Sequence, residues 1–93
     1  MTKDRRKYHE QERVVRGFSN HRRIEILNLL VEQPNLSVIE ISKKLEVNFK
    51  TISEHVRRLS IAGLVFKHAE GNAVRHELTN RAKSTLKFLR TLE

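Results

Sequence analysis

Between Asn48 and Val65 the chain encodes a helix whose start, buried stripe and stop are all local. Asn48 is a good N-cap, and Val47 and Ile52 stand around it at hydrophobic-staple spacing. Gly63 suits the left-handed position just past a helix end, so a helix is expected over 49–62. Ile52, Val56 and Leu59 fall at i, i+4 and i+7, an apolar stripe that must pack on something. The opposite face carries Lys50, Glu54, Arg57 and Arg58, with Thr51 and Ser53 on the flanks near the N-terminal end. Two readings suit this pattern. One is a solvated surface helix; the other is a helix whose polar face enters a DNA major groove, where Arg and Lys reach guanine acceptors or phosphates.

The preceding segment favours the second reading. Ser37 and Glu40 form a Ser-x-x-Glu capping box, with Leu36 and Ile41 at staple spacing, so a short helix is expected from Val38 to about Leu45. Only Glu46 and Val47 separate it from the Asn48 cap. Two short helices joined so tightly, the second one basic outside, form a helix-turn-helix pattern. Upstream, Ser19 or Asn20 caps a helix from Arg22 to about Gln33, ended by Pro34 and Asn35. Its Ile24, Ile26, Leu27, Leu29, Leu30 and Val31 cover more than one face and mark the centre of the core. A first helix is expected from Tyr8 to Phe18, with Tyr8, Gln11, Val15 and Phe18 on one side, although Gly17 near its end disfavours it. Lys3, Arg5, Arg6 and Lys7 make residues 1–7 a basic tail that frays in solvent or lies along phosphates.

After Gly63 the apolar period becomes alternating: Val65, Lys67 and Ala69 share one side, and Val74, His76 and Leu78 follow the polar Glu70-Gly71-Asn72-Ala73. Gly-Asn between two such runs is a hairpin signal, so a two-stranded wing is expected over 64–78. A two-residue loop sets His68 opposite Arg75 and Lys67 opposite His76; a three-residue loop shifts both pairs. Thr79 or Asn80 then caps a last helix to about Leu92, with Ala82, Leu86, Phe88 and Leu89 as its apolar side and Lys83, Lys87 and Arg90 outside. The expected fold is mainly α with a small β-hairpin: a winged helix-turn-helix of about five helices and a two-stranded wing, occupying 8–93 after the basic tail.

A chain of 93 residues has room for one small core, which argues against separate cofactor and substrate domains. Its 19 Lys and Arg against 11 Asp and Glu give a charge of +8, which favours a polyanionic partner, nucleic acid first, over a merely soluble basic protein. There is no cysteine, which removes disulfides, thiolate metal sites and thiol redox chemistry together. No apolar run approaches the roughly 20 residues of a membrane span, and residues 1–20 lack a signal-peptide core, so a cytoplasmic location is expected.

In detail, Phe18-Ser19-Asn20-His21-Arg22-Arg23-Ile24-Glu25-Ile26-Leu27 resembles the segment of the ArsR repressor family in which a small turn and paired basic residues enter helix two. Thr51 to Leu59, followed by Ala62-Gly63-Leu64-Val65, resembles that family's recognition helix and entry to the wing. The similarity spans about Val14 to Leu78, and the Ala-Gly-Leu-Val exit is shared with other winged-helix regulators such as the MarR family. The resemblance implies a homodimeric repressor of an inverted-repeat operator, paired through its first and last helices, here Tyr8–Phe18 and Thr79–Leu92. The alternative is that these two helices simply cover the core. Many members release DNA when a metal binds Cys residues on helix three or His and acidic residues on the last helix. Here Ile39-Glu40-Ile41 stand in the first place and the last helix has no His, so metal sensing is not expected.

The five histidines show no i, i+4 pair on one helix and no carboxylate at ligand spacing, and only His68 and His76 approach each other, across the wing. His55 borders the apolar stripe as a packed or phosphate-facing residue. No nucleophile elbow, phosphate loop or grouped carboxylates appear, so neither an enzyme nor a cofactor is expected. The expected partner is double-stranded DNA. Lys50, Thr51, Ser53, Glu54 and Arg57 would probe base edges, Asn48 and Arg58 would hold the backbone, and Lys67, His68 and Arg75 of the wing would grip phosphates or the minor groove. The competing readings are a winged-helix protein-interaction module, against which the cationic face argues, and a non-specific or RNA-binding protein, for which paired exposed aromatics are missing.

Overall fold

The computed structural model describes residues 4–93; Lys3 and the fraying expected of the first residues lie outside them. The chain runs α1 (Arg5–Phe18), α2 (His21–Glu32), α3 (Val38–Leu45), α4 (Phe49–Ile61), β1 (Val65–Glu70), β2 (Ala73–Leu78) and α5 (Asn80–Arg90). This is the five-helix, two-stranded order expected from the sequence. The caps explain most of the boundaries. Asn20 Oδ1 accepts from the Arg22 and Arg23 amides at 2.9 and 3.3 Å, and Thr79 Oγ1 accepts from the Ala82 amide at 3.1 Å. Ser37 and Glu40 close their capping box, the Glu40 carboxylate accepting from the Ser37 amide and the Ser37 hydroxyl from the Glu40 amide. The ends of α2, α4 and α5 fall within two residues of expectation. The largest difference from the expected boundaries is at α1, which starts three residues early because Asp4 caps it through the Arg6 amide at 3.1 Å. Residues 5–7 of the basic tail are therefore helical.

The core gathers around α2, as its breadth of apolar positions implied. Ile26, Leu27 and Leu30 of α2 are buried with Ile41 of α3, the whole Ile52, Val56 and Leu59 stripe of α4, and Leu64, Val65, Ala82 and Leu86. α1 packs on both α2 and α4. Its buried Gly17 lies so close to α4 that an added Cβ would stand 2.3 Å from the Cβ of Ala62. In the turn between α3 and α4, Glu46 adopts a left-handed φ of 55° and the Val47 amide donates to the Ser42 carbonyl at 3.1 Å. That closes the α3 terminus and aims the chain into the Asn48 cap. Gly63 follows α4 with φ 75°, the left-handed stop its position suggested.

The wing adopts the two-residue-loop register, with Lys67 opposite His76 and His68 opposite Arg75. A third segment, unexpected from the sequence, joins it. Leu36 forms an antiparallel bridge with His76, whose amide donates to the Leu36 carbonyl at 3.0 Å while the Asn35 amide donates to the His76 carbonyl at 3.0 Å. The base of the wing is thus laced to the α2–α3 connection. His76, which the sequence places on the wing's stem, is a core residue: it is 1% exposed, and its Nδ1 donates to the Leu36 carbonyl at 2.8 Å.

This histidine gives folding a pH dependence. Burial lowers the His76 pKa from its ordinary 6.5, and burial followed by the Arg23 and Arg22 charges does the same to His55. Above about pH 6.5 both are neutral folded and unfolded, so their contribution is full and constant. Below it the unfolded chain takes up protons that the folded chain resists, and stability falls as pH drops toward the folded values. Glu40 and Glu54, held below their ordinary 4.5, act in the same direction only at lower pH. Urea titrations should therefore find stability declining between about pH 6.5 and 5, and His76→Asn should flatten that decline. Equal wild-type stability at about pH 7 and 5 would contradict the assignment.

Candidate nucleic-acid interface

The α3–turn–α4 unit sets one end of α4 and its polar face toward solvent. Asn48 caps the helix, its Oδ1 accepting from the Lys50 and Thr51 amides at 2.7 and 3.3 Å. Lys50 and Thr51 are exposed and Ser53 is half-buried. These are the first-turn side chains that a groove-bound helix offers to base edges. Burial of Ile52, Val56 and Leu59 on the reverse side fixes the rotation of the helix and hence the direction of this face.

One turn on, three of the expected residues form a single cluster. The Arg57 guanidinium holds the Glu54 carboxylate with two parallel bonds, Nε to Oε1 at 2.9 Å and the terminal nitrogen to Oε2 at 2.7 Å. Arg58 Nε donates to the same Oε2 at 2.9 Å. The hydrogen bond from Arg57, with help from Arg58 and both charges, holds the Glu54 pKa down to about 2, so the carboxylate is ionised throughout the physiological range. Glu54 orients two arginines on the outer face of α4, which leaves its own oxygens occupied.

The wing residues divide. Lys67 is exposed. His68 Nε2 stands 2.9 Å from Asn35 Oδ1 and 3.0 Å from Glu77 Oε2, and since a carboxylate only accepts, Nε2 carries the proton. His68 and His76 sit on opposite faces of the hairpin, so they do not converge on one ion. Among the described residues no group of three or more His, Asp or Glu side chains is arranged to hold a metal. Arg75 is bonded inward, to the Glu40 carboxylate and to the Asn35 carbonyl at 3.3 Å. Glu40 therefore serves the α3 capping box and ties the wing to α3, and its pKa is lowered first by the Ser37 amide and also by Arg75. This geometry gives Arg75 a different employment from the phosphate grip expected of it. Arg75→Ala should loosen the wing, accelerating amide hydrogen exchange in 65–78 while leaving α1 unchanged. Unchanged exchange in the wing, with DNA binding lost, would restore the phosphate role.

The sequence profile of the arsR family of bacterial regulatory proteins matches residues 20–67, from the Asn20 cap through α4 into β1. The transcriptional activator HlyU of Vibrio cholerae is 31% identical over 80 residues, spanning 85% of this chain and 73% of HlyU. The chain belongs to the ArsR family. Reduced HlyU superposes on it with a TM-score of 0.79 at 28% identity, over 95% of this chain and 93% of that one. A homodimeric winged helix-turn-helix DNA-binding domain from Mycobacterium bovis, described as a possible ArsR-family regulator, shares the fold with a TM-score of 0.85. It is 24% identical, over 99% of this chain and 87% of that one. The transcriptional repressor PagR of Bacillus anthracis shares the fold at 17% identity and a TM-score of 0.81, over 92% of this chain and 99% of that one.

In this ArsR-family chain the structure also engages residues the sequence did not single out. Arg23, within the paired basic residues, donates from Nε to His55 Nδ1 at 3.2 Å and from a terminal nitrogen to the Arg16 and Gly17 carbonyls at 3.1 and 3.2 Å. It ties α2 to the end of α1 and to α4, so His55 is a packed acceptor. Asn35, read as a breaker, holds the wing through its side chain and both backbone polar groups. Asn35 adopts a left-handed φ of 66°, a conformation that Asn tolerates, so its position directly after Pro34 is the one signal the sequence carries.

Proposed function

We propose that this ArsR-family regulator binds an inverted-repeat site in double-stranded DNA as a homodimer, with 49–62 in the major groove and wing 64–78 on the backbone or minor groove. The carrying observation is the outward face of α4: Lys50, Thr51, Ser53 and the arginine pair held by Glu54 stand on a helix whose rotation is fixed by the core. Lys50, Thr51, Ser53 and Arg57 read bases; Arg58 and Asn48 face the backbone, and Lys67 and His68 extend the wing's contact. Residues 1–7 add basic charge beside a DNA-binding domain over 8–93, and the setting is cytoplasmic. Among the described residues no helix is long and apolar enough to cross a membrane.

Dimerisation through α1 and α5 is supported by exposed apolar side chains on both, Tyr8 and Val15 on α1 and Phe88 on α5, with Leu92 just beyond at 66% exposed. The M. bovis domain of the same fold is homodimeric. Repression by occupying an operator is the regulatory mode we propose. A reporter carrying the bound site should fall when the protein is expressed; a rise would assign activation, as in the name of HlyU.

Selection of the protein against a random duplex pool tests the reading. Enrichment of an inverted repeat with half-sites about one helical turn apart, or a multiple, is expected. Salt-sensitive binding without enrichment would make the protein architectural, and no binding would favour the interaction-module reading. On the enriched duplex Arg57→Ala should cost about 1–3 kcal/mol and relax the sequence preference, with little change on random DNA. Equal loss on both would move Arg57 to the phosphate contacts.

A further inference from the structure

An open groove of about 840 Å³ lies between α1 and the C-terminal half of α4, beside the close approach of Gly17 to Ala62. Arg13 and Arg16 of α1, Arg23 of α2 and Arg57 and Arg58 of α4 line it, against one lining carboxylate, Glu12. Glu54 offsets part of the α4 charge, while Glu12 lies 3.6 Å from Arg16. Positive charge therefore remains in excess. Arg23 is fixed by bonds to His55 and two carbonyls, and burial first, then the Arg58 charge, lower its pKa against the opposing Glu54 charge, so Arg23 stands in the positive field of Arg58. Convergent like charges in a concavity are relieved by an anion with several oxygens, and planar guanidinium forks suit phosphate in particular.

We propose that the α1–α4 groove is a phosphate-binding site, built by Arg13, Arg16 and Arg23 and bordering the base-reading face at Arg57. Phosphate reaches it from one of two sources. It is either the DNA backbone continuing past α4 or a free phosphorylated small molecule that engages Arg57 and Arg58 and so acts on DNA binding.

Titration of the full chain with tripolyphosphate by calorimetry at low salt tests the site without DNA, so it succeeds or fails independently of the operator reading. The pair Arg13→Ala/Arg16→Ala should weaken binding at least about tenfold, while Lys87→Ala/Arg90→Ala on α5, an equal charge change, should alter it less than about twofold. Melting of each variant at the wild-type temperature confirms that the fold is kept. Absent wild-type binding, or equal loss in both pairs, would overturn the proposal. A second comparison assigns the source. If the DNA backbone fills the groove, the α1 pair should shallow the salt slope by about 1.8 on a selected duplex with long flanks and by nothing on a short one. If a free phosphate compound fills it, the α1 pair should leave both slopes unchanged and tripolyphosphate should displace the short duplex from wild type alone.

Discussion

Truncating Ile52 to alanine is expected to cost about 2–5 kcal/mol of folding stability. Ile52 is fully buried, the first residue of the α4 stripe, and belongs to the same cluster as Ile41 of α3 and Leu59. Removing its outer carbons loses their transfer energy and leaves a cavity where α3 and α4 meet, which close packing on several sides prevents from collapsing. Domains of this size hold only about 5–15 kcal/mol in total, so the melting temperature should fall by many degrees. Ile61 on the same helix is 57% exposed, and Ile61→Ala should stay within about 0.5 kcal/mol of wild type. Urea unfolding of both variants decides the matter. A loss below about 1 kcal/mol for Ile52→Ala, with an unchanged m-value, would mean that α4 is not seated as described.

Gly17→Ala should destabilise the chain although it improves the local helix. Alanine in a helix interior is favoured over glycine by about 1 kcal/mol, and on α1 in isolation the substitution would help. In the folded chain the new methyl carbon would stand 2.3 Å from the Cβ of Ala62, itself 2% exposed at the end of α4. Neither carbon has a rotamer with which to escape, so α1 must move away from α4. A net loss of about 1–3 kcal/mol is expected, and Ala62→Gly in the same chain should recover much of it by vacating the contested space. A stabilised Gly17→Ala protein would contradict the close approach of α1, and with it the groove and the fixed placement of α1 at the proposed dimer face.

That glycine shows where sequence reading reached its end. Near the terminus of a short helix Gly17 counted against the helix, because periodicity and propensity see one segment at a time, whereas its reason lies on Ala62, 45 positions away. Signals confined to a few neighbouring residues are legible: the Asn48 cap, the Ser37–Glu40 box and the α4 stripe stand as read, and the structure selects Asn20 over Ser19 and Thr79 over Asn80 as the caps of α2 and α5. Asp4 escaped notice because a basic run surrounds the only acidic residue able to cap α1. The Leu36–His76 bridge escaped because a one-residue strand has no period. Pairings across the fold were the least visible. The sequence marks Glu40 as a capping residue and Arg75 as a cation, yet only the folded chain brings them together and turns a wing charge inward. Lys50, Arg57 and Arg58 are exposed on the outer side of α4, with Thr51 exposed and Ser53 half-buried on its flanks, because the buried stripe that orients them is itself legible.

In the function proposed above, two copies of this chain read one DNA site together. Sedimentation and titration of the protein with its selected duplex, beside a scrambled duplex of equal length at near-physiological salt, test it most directly. Two chains per selected duplex are expected, with specific binding at least about a thousandfold tighter than binding to the scrambled control. One chain per duplex, or equal affinity for both sequences, would contradict it.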